Sequence, residues 1–143
     1  RGFEPFSFTS PFTSLNGPLF VKCGKKKAVF GFRVAAHHLN PRNVVHGGWM
    51  TSFVDVAMAQ SALYELGVVA LTPTIHLDAD FLAPIHPGQW VECDVRLVKS
   101  TRTINFVEAI SYADGEPVLR SSAVYRKPRE MKKRVGTNLS PTD

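Results

Sequence analysis

Between Gly47 and Leu66 the chain runs without proline and with only two charged side chains, Asp55 in the middle and Glu65 at the far end. Apolar residues fall all round the turn, so a helix here must be buried on most of its circumference. At roughly 1.5 Å per residue it would reach about 30 Å, the width of a small domain. The rest of the chain therefore has to wrap around it. An acid inside such a helix is costly to desolvate unless it is paired or used, which makes Asp55 the first residue to explain.

The sequences on either side supply the wrapping. Ala28, Phe30, Phe32 and Val34 alternate with Gly31 and Arg33, so residues 26 to 35 read as a strand, paired with Leu19 to Cys23 across Lys25-Lys26-Lys27. After the helix the period is two. Thr74 to Leu82 puts Thr74, His76, Asp78 and Asp80 on one face, and Val91, Cys93, Val95 and Leu97 alternate with Glu92, Asp94 and Arg96. Thr103 to Tyr112 and Val118 to Tyr125 are joined by Ala113-Asp114-Gly115-Glu116, whose Asp-Gly is a hairpin signal. The expected class is α+β, an antiparallel sheet of five to six strands curled around one long central helix. Residues 1–16 show neither period and are expected to lie as an arm over the domain, with regular structure beginning near Gly17. Residues 17–127 form the domain, and 128–143 a basic, flexible tail.

Length fits one such domain, and no repeat is visible. The formal net charge is +5, and Arg126 to Arg134 supplies the whole excess, six basic residues against Glu130. The basicity thus belongs to a tail and not to a nucleic-acid-binding face, and no nucleic-acid partner is expected. Cys23 and Cys93 form no CxxC pair and fit core thiols of a reduced, cytoplasmic protein. No apolar stretch is long enough to span a membrane, and Arg1 to Phe20 lacks the basic and apolar regions of an export signal. His37-His38, His76 and His86 have no metal-ligand spacing, so neither a metal nor a cofactor is expected.

One constellation is specific. Asn40 stands six residues before His46, His46-Gly47-Gly48 opens the helix, Asp55 follows nine after the histidine, and Thr74 lies ten before Pro84. From about Gly17 to Lys127 the chain resembles the hotdog-fold acyl-CoA thioesterases of the phenylacetate-pathway (PaaI-like) type. That resemblance implies a sheet wrapped round a central helix, pairing into dimers with active sites at the subunit interface, and often dimers of dimers, a homotetramer. It also implies an acyl-CoA substrate, hydrolysed to a carboxylic acid and free coenzyme A. By the same resemblance Asn40 and His46 position the loop and the thioester carbonyl, Asp55 is general base or nucleophile, and Thr74 orients the water or the acid of a neighbouring subunit. Where the family has glycine three residues before the histidine this chain has Asn43, which tolerates the left-handed conformation.

Elementary chemistry points to the same residues. Thioester hydrolysis needs a polarised carbonyl and an activated water. Gly47, first in the helix, leaves its N–H free at the positive end of the dipole and admits close approach. His46 reads as a positioning residue more than a proton shuttle. Thr74 faces the helix only if its position at the strand start or a bulge turns it from the polar side. The hairpin Val98-Lys99-Ser100-Thr101-Arg102 is similar to the family segment that meets the nucleotide, so Lys99 and Arg102, with Gly48, are candidates for coenzyme A; exposed turn charges are the alternative. Trp49, Met50, Phe53 and Val54 are candidates for the acyl pocket, or ordinary core. Two rival functions share the fold: a non-catalytic acyl-CoA sensor, against which Asp55 argues, and a dehydratase or hydratase, whose histidine pattern differs.

Overall fold

The computed structural model describes residues 1–7 and 10–140. In chain order its elements are β1 (Glu4–Pro5), α1 (Pro11–Asn16), β2 (Phe20–Cys23), β3 (Ala28–Arg33), α2 (Gly47–Leu66), β4 (Val68–Val69), β5 (Thr74–Phe81), β6 (Trp90–Ser100), β7 (Ile104–Ala113), β8 (Glu116–Arg126) and β9 (Lys132–Lys133). Seven strands form one antiparallel sheet in the order β1-β2-β3-β6-β7-β8-β5, and β4 pairs with β9. This is the expected helix and curled sheet, with more strands than the five to six expected. The additional strand β1 is two residues long, too short to show a period, and is held by pairing with Phe20 and Val21.

Helix α2 is the centre of the core. Phe53, Val54, Ala57 and Met58 have no exposed surface, and they meet Phe30, Phe32, Val91 and Leu119 from the sheet, equally buried. Each such large side chain contributes on the order of 2–3 kcal/mol by leaving water. The helix ends at Gly67, whose φ of 72° is the left-handed C-cap conformation that glycine adopts without steric cost. Its enclosure is incomplete. Ser52, Asp55, Val56 and Ala59, spaced at three and four residues, form one half-exposed stripe.

The arm lies beside that stripe. Regular structure begins earlier than Gly17, because Pro11 at the first helical turn and Ser10, whose Oγ accepts from the Thr13 amide at 3.2 Å, start a six-residue helix. Two histidines tie its end down: the His37 ring meets the Gly17 carbonyl at 2.7 Å, and the His38 ring meets the Asn16 carbonyl. In the basic segment 128–143, expected to be flexible, Lys132–Lys133 pairs with Val68–Val69, the Arg134 guanidinium lies 3.7 Å over the Tyr64 ring, and Leu139 is buried.

The hairpins follow their sequences. Asp114 and Gly115 both take positive φ, 47° and 87°, as the tight Asp-Gly turn between β7 and β8 requires. Lys27, at the end of the lysine run, pairs with Asp94.

Candidate active site

The turn before α2 is built by Asn40. Its Oδ1 accepts from the Arg42 amide at 2.9 Å and the Val44 amide at 3.4 Å, its own N–H reaches the Val44 carbonyl, and Asn43 sits at φ 61°. Asparagine thus holds the left-handed position, as expected for Asn43. With the oxygen spent on the loop, the Asn40 amide NH₂ has no protein partner among the described residues. The chain then returns through Val45, bonded to the Ile85 carbonyl, and His46, bonded to the His38 carbonyl.

His46 is the N-cap of α2. Its ring Nδ1 accepts from the Gly48 amide at 2.8 Å, and its carbonyl accepts from Trp49 and Met50. Of the first helical N–H groups, that of Gly47 alone is left without a partner among the described residues, and it carries the positive end of the helix dipole. Gly48 has a separate reason to lack a side chain: a Cβ there would lie 2.9 Å from His46 Nδ1 and 3.0 Å from Cε1, and would push the capping ring away. Asn40 and Gly47 line one open cavity of about 390 Å³, together with Met50, Phe81, Pro84 and Ile85.

Asp55 lies on the half-exposed stripe. The Thr74 hydroxyl donates to Asp55 Oδ1 at 2.8 Å. The strand alternation that set Thr74 with the polar face is broken by a bulge between Thr74 and His76, which turns Thr74 toward the helix. A second hydroxyl converges on the same oxygen: Tyr125 donates at 2.9 Å to Oδ1, and stands 2.8 Å from the Asp55 main-chain carbonyl. Tyr125 is 1% exposed, and burial first, then the neighbouring Asp55 charge, push its phenol far above the usual range, so it stays protonated. Sequence reasoning missed it. Its inward parity on β8 was legible, and a buried phenol always needs a partner, but which partner is a matter of register.

Asp55 faces two further cavities. One, of about 460 Å³, includes Phe6, Thr13, Leu71, Thr72 and Thr74; the other, of about 240 Å³, includes Phe12, Trp49, Ser52 and Val56. The arm, through Ser10 and Thr13, walls both. Of the acyl-pocket candidates, Met50 lines the Gly47 cavity and Trp49 an Asp55 cavity, whereas Phe53 and Val54 are wholly enclosed in the core and line neither. Lys99 and Arg102 are exposed at the β6–β7 hairpin, and Gly48 is exposed at the helix start. Lys127, which the sequence reading did not single out, donates its amino group to the Thr101 carbonyl and stands two residues beyond Tyr125.

Gly47 and Asp55 are not brought together within one chain. They stand eight residues apart on one helix, about 12 Å by its rise, and open to different cavities. Reaction of a bound carbonyl needs its partners within about 3.5 Å.

Comparison with known proteins agrees with this architecture. The thioesterase superfamily model matches residues 42–119, more than half of the chain, and the chain belongs to that family. A Pseudomonas aeruginosa protein provisionally named an esterase is 26% identical over 129 residues, covering 90% of this chain and 96% of its own. A mutant phenylacetic acid degradation protein from Thermus thermophilus superposes with a TM-score of 0.71 at 22% identity, covering 83% of this chain and all of that one. A hypothetical thioesterase from Streptococcus pneumoniae, solved with coenzyme A, gives 0.70 at 15% identity over 93% of this chain and 98% of its own. The fold is the hotdog thioesterase fold. Among the described residues no helix is long and apolar enough to cross a membrane.

Proposed function

We propose that the chain hydrolyses acyl-CoA thioesters to a carboxylic acid and free coenzyme A, with each active site shared between two copies. The observation that carries this reading is Asp55: a carboxylate on the one open stripe of a buried helix, anchored through a single oxygen and facing a cavity. The Gly47 N–H of one copy, with the Asn40 amide beside it, polarises the thioester carbonyl. Asp55 of the other copy either takes a proton from the attacking water or attacks the carbonyl carbon itself, giving an anhydride that water then opens. In both routes the tetrahedral oxyanion collapses and the coenzyme A thiolate leaves, to be protonated by solvent.

A shared site resolves the separation of Gly47 from Asp55. The free edge of the sheet, β5, supports it: Ile75 and Phe81 on that strand, and Leu71 and Leu82 beside it, are more than half exposed, as suits a surface covered by a second copy. Lys99 and Arg102, with Lys127 next to their hairpin, are suited to the coenzyme A phosphates, at the end of the sheet where Tyr125 meets Asp55. The acyl group enters the space between the arm and Trp49 of the copy that supplies Asp55 and Met50 of the copy that supplies Gly47.

The test is a panel of short, long and aromatic acyl-CoAs assayed by release of free thiol, with Asp55→Ala beside the parent. Turnover that falls by about a hundredfold or more in the variant is expected. Binding without turnover favours an acyl-CoA sensor, and wild-type kcat/KM in the variant removes Asp55 from the chemistry.

A further inference from the structure

We infer that Tyr125 is a positioning residue that selects which oxygen of Asp55 reacts, leaving Oδ2 as the working atom. This rests on the reading of Asp55 as base or nucleophile. A carboxylate oxygen offers two lone-pair sites, and Oδ1 meets two donors, Thr74 at 2.8 Å and Tyr125 at 2.9 Å. No donor reaches Oδ2 among the described residues. The two hydroxyls come from directly opposed positions, because Thr74 and Tyr125 are partners across β5 and β8. They therefore move as one unit, and the carboxylate is held between its helix and a rigid strand pair.

The phenol has a single proton and two acceptors within reach, the main-chain carbonyl and Oδ1. The carbonyl already accepts within the helix, and a charged oxygen is the stronger acceptor. Burial keeps the phenol protonated, so it is a donor at every working pH. One consequence follows for the reaction: the carboxylate plane is fixed, which aims Oδ2 at the water or the carbonyl carbon. A phenol that merely filled the core and bonded the main chain would not do this.

Tyr125→Phe keeps the ring and removes the hydroxyl. With the acyl-CoA that the parent turns over fastest, kcat is expected to fall about three- to thirtyfold with KM held within about twofold, a split that a merely structural role would not produce. Asp55→Asn, run in parallel, separates the two claims. If Asp55→Asn has lost turnover while Tyr125→Phe shows the parent's kcat, the role of Tyr125 is overturned and that of Asp55 stands. If Asp55→Asn keeps turnover, the reading of Asp55 falls and the inference with it. Should Tyr125→Phe melt too low to assay, fluorotyrosine placed at position 125 alone decides, since a more acidic phenol is a stronger donor: a kcat changed at an unchanged KM supports the inference, and an unmoved kcat overturns it.

Discussion

Thr74 and Tyr125 face each other across β5 and β8, and their hydroxyls end on the same oxygen of Asp55. Thr74 can do this only because the bulge that follows it lets an exposed-face position point inward. Removing its hydroxyl while keeping its shape should therefore be felt at the carboxylate and not in the fold. Thr74→Val is expected to lower kcat about tenfold, and Thr74→Ser to stay within about threefold of the parent, the difference being one hydrogen bond to a charged group. Steady-state kinetics on the two variants checks this, and equal activity would reduce Thr74 to a strand residue.

His46 and Gly48 form a second coupled pair. The ring caps the helix by accepting from the Gly48 amide, and only a glycine leaves room for it. Loss of the cap in His46→Ala should cost about 1 kcal/mol of stability and misplace the Gly47 N–H. His46→Asn, which restores a side-chain acceptor, should recover most of the stability and part of the turnover. Gly48→Ala should resemble His46→Ala. Urea melts with parallel assays decide between capping and proton transfer, because a proton shuttle predicts His46→Asn to be as inactive as His46→Ala.

The elements legible in the sequence were those whose cause is local. The span from Gly47 to Leu66 follows from unbroken apolar composition between a capping histidine and Gly67, and the turn at Asp114-Gly115 from the conformations those residues allow. Asn43 at φ 61° follows for the same reason. What escaped depends on partners distant in sequence. The strand Glu4–Pro5 exists only through its pairing with β2, and the contacts of Lys132–Lys133 only through β4. Within the candidate site, period two gave Thr74 the polar face until the bulge reversed it, and nothing local could say that Tyr125 ends on Asp55. Phe53 and Val54 look like pocket residues in sequence because they follow the turn at Gly47, but the helix rotation carries them into the core.

Sharing of sites between copies predicts complementation. A chain with Asp55→Asn retains the Gly47 turn, and a chain with Asn40→Ala retains the Asp55 carboxylate. If the two are co-expressed and pair at random, half of the dimers are mixed and one of their two sites is intact, so about a quarter of parental activity should return. Either variant alone should be near background. Activity that stays at background in the purified mixed dimer would mean that each chain carries its own complete site.

The junction between the arm and the turn before α2 should respond to pH. His38 is 1% exposed, stacks on Trp49 at 5.2 Å, accepts from the Ala35 amide at Nδ1 and donates from Nε2 to the Asn16 carbonyl. That pattern requires the neutral ring. Burial pushes its pKa below 6.5; the Asn16 carbonyl opposes this, and the adjacent His37 adds to it. With the folded pKa below the unfolded one, the stability linked to His38 is complete above about pH 6.5 and is lost as pH falls toward the folded pKa, by at most about 1.4 kcal/mol per pH unit. Most carboxylates titrate lower, so the window from about pH 6.5 to about pH 5 reports on histidines, and the comparison with His38→Gln separates His38 from the other four. Thermal melts across it should show a declining Tm in the parent and a flatter profile in His38→Gln, whose amide can keep the bond to Asn16 without taking a proton. Equal slopes in the two proteins would assign the decline to other groups. Because the Asn16 carbonyl that His38 holds ends the helix walling both Asp55 cavities, the same acidification should loosen the acyl pocket before the core, raising KM for acyl-CoA at pH values where the sheet is still folded.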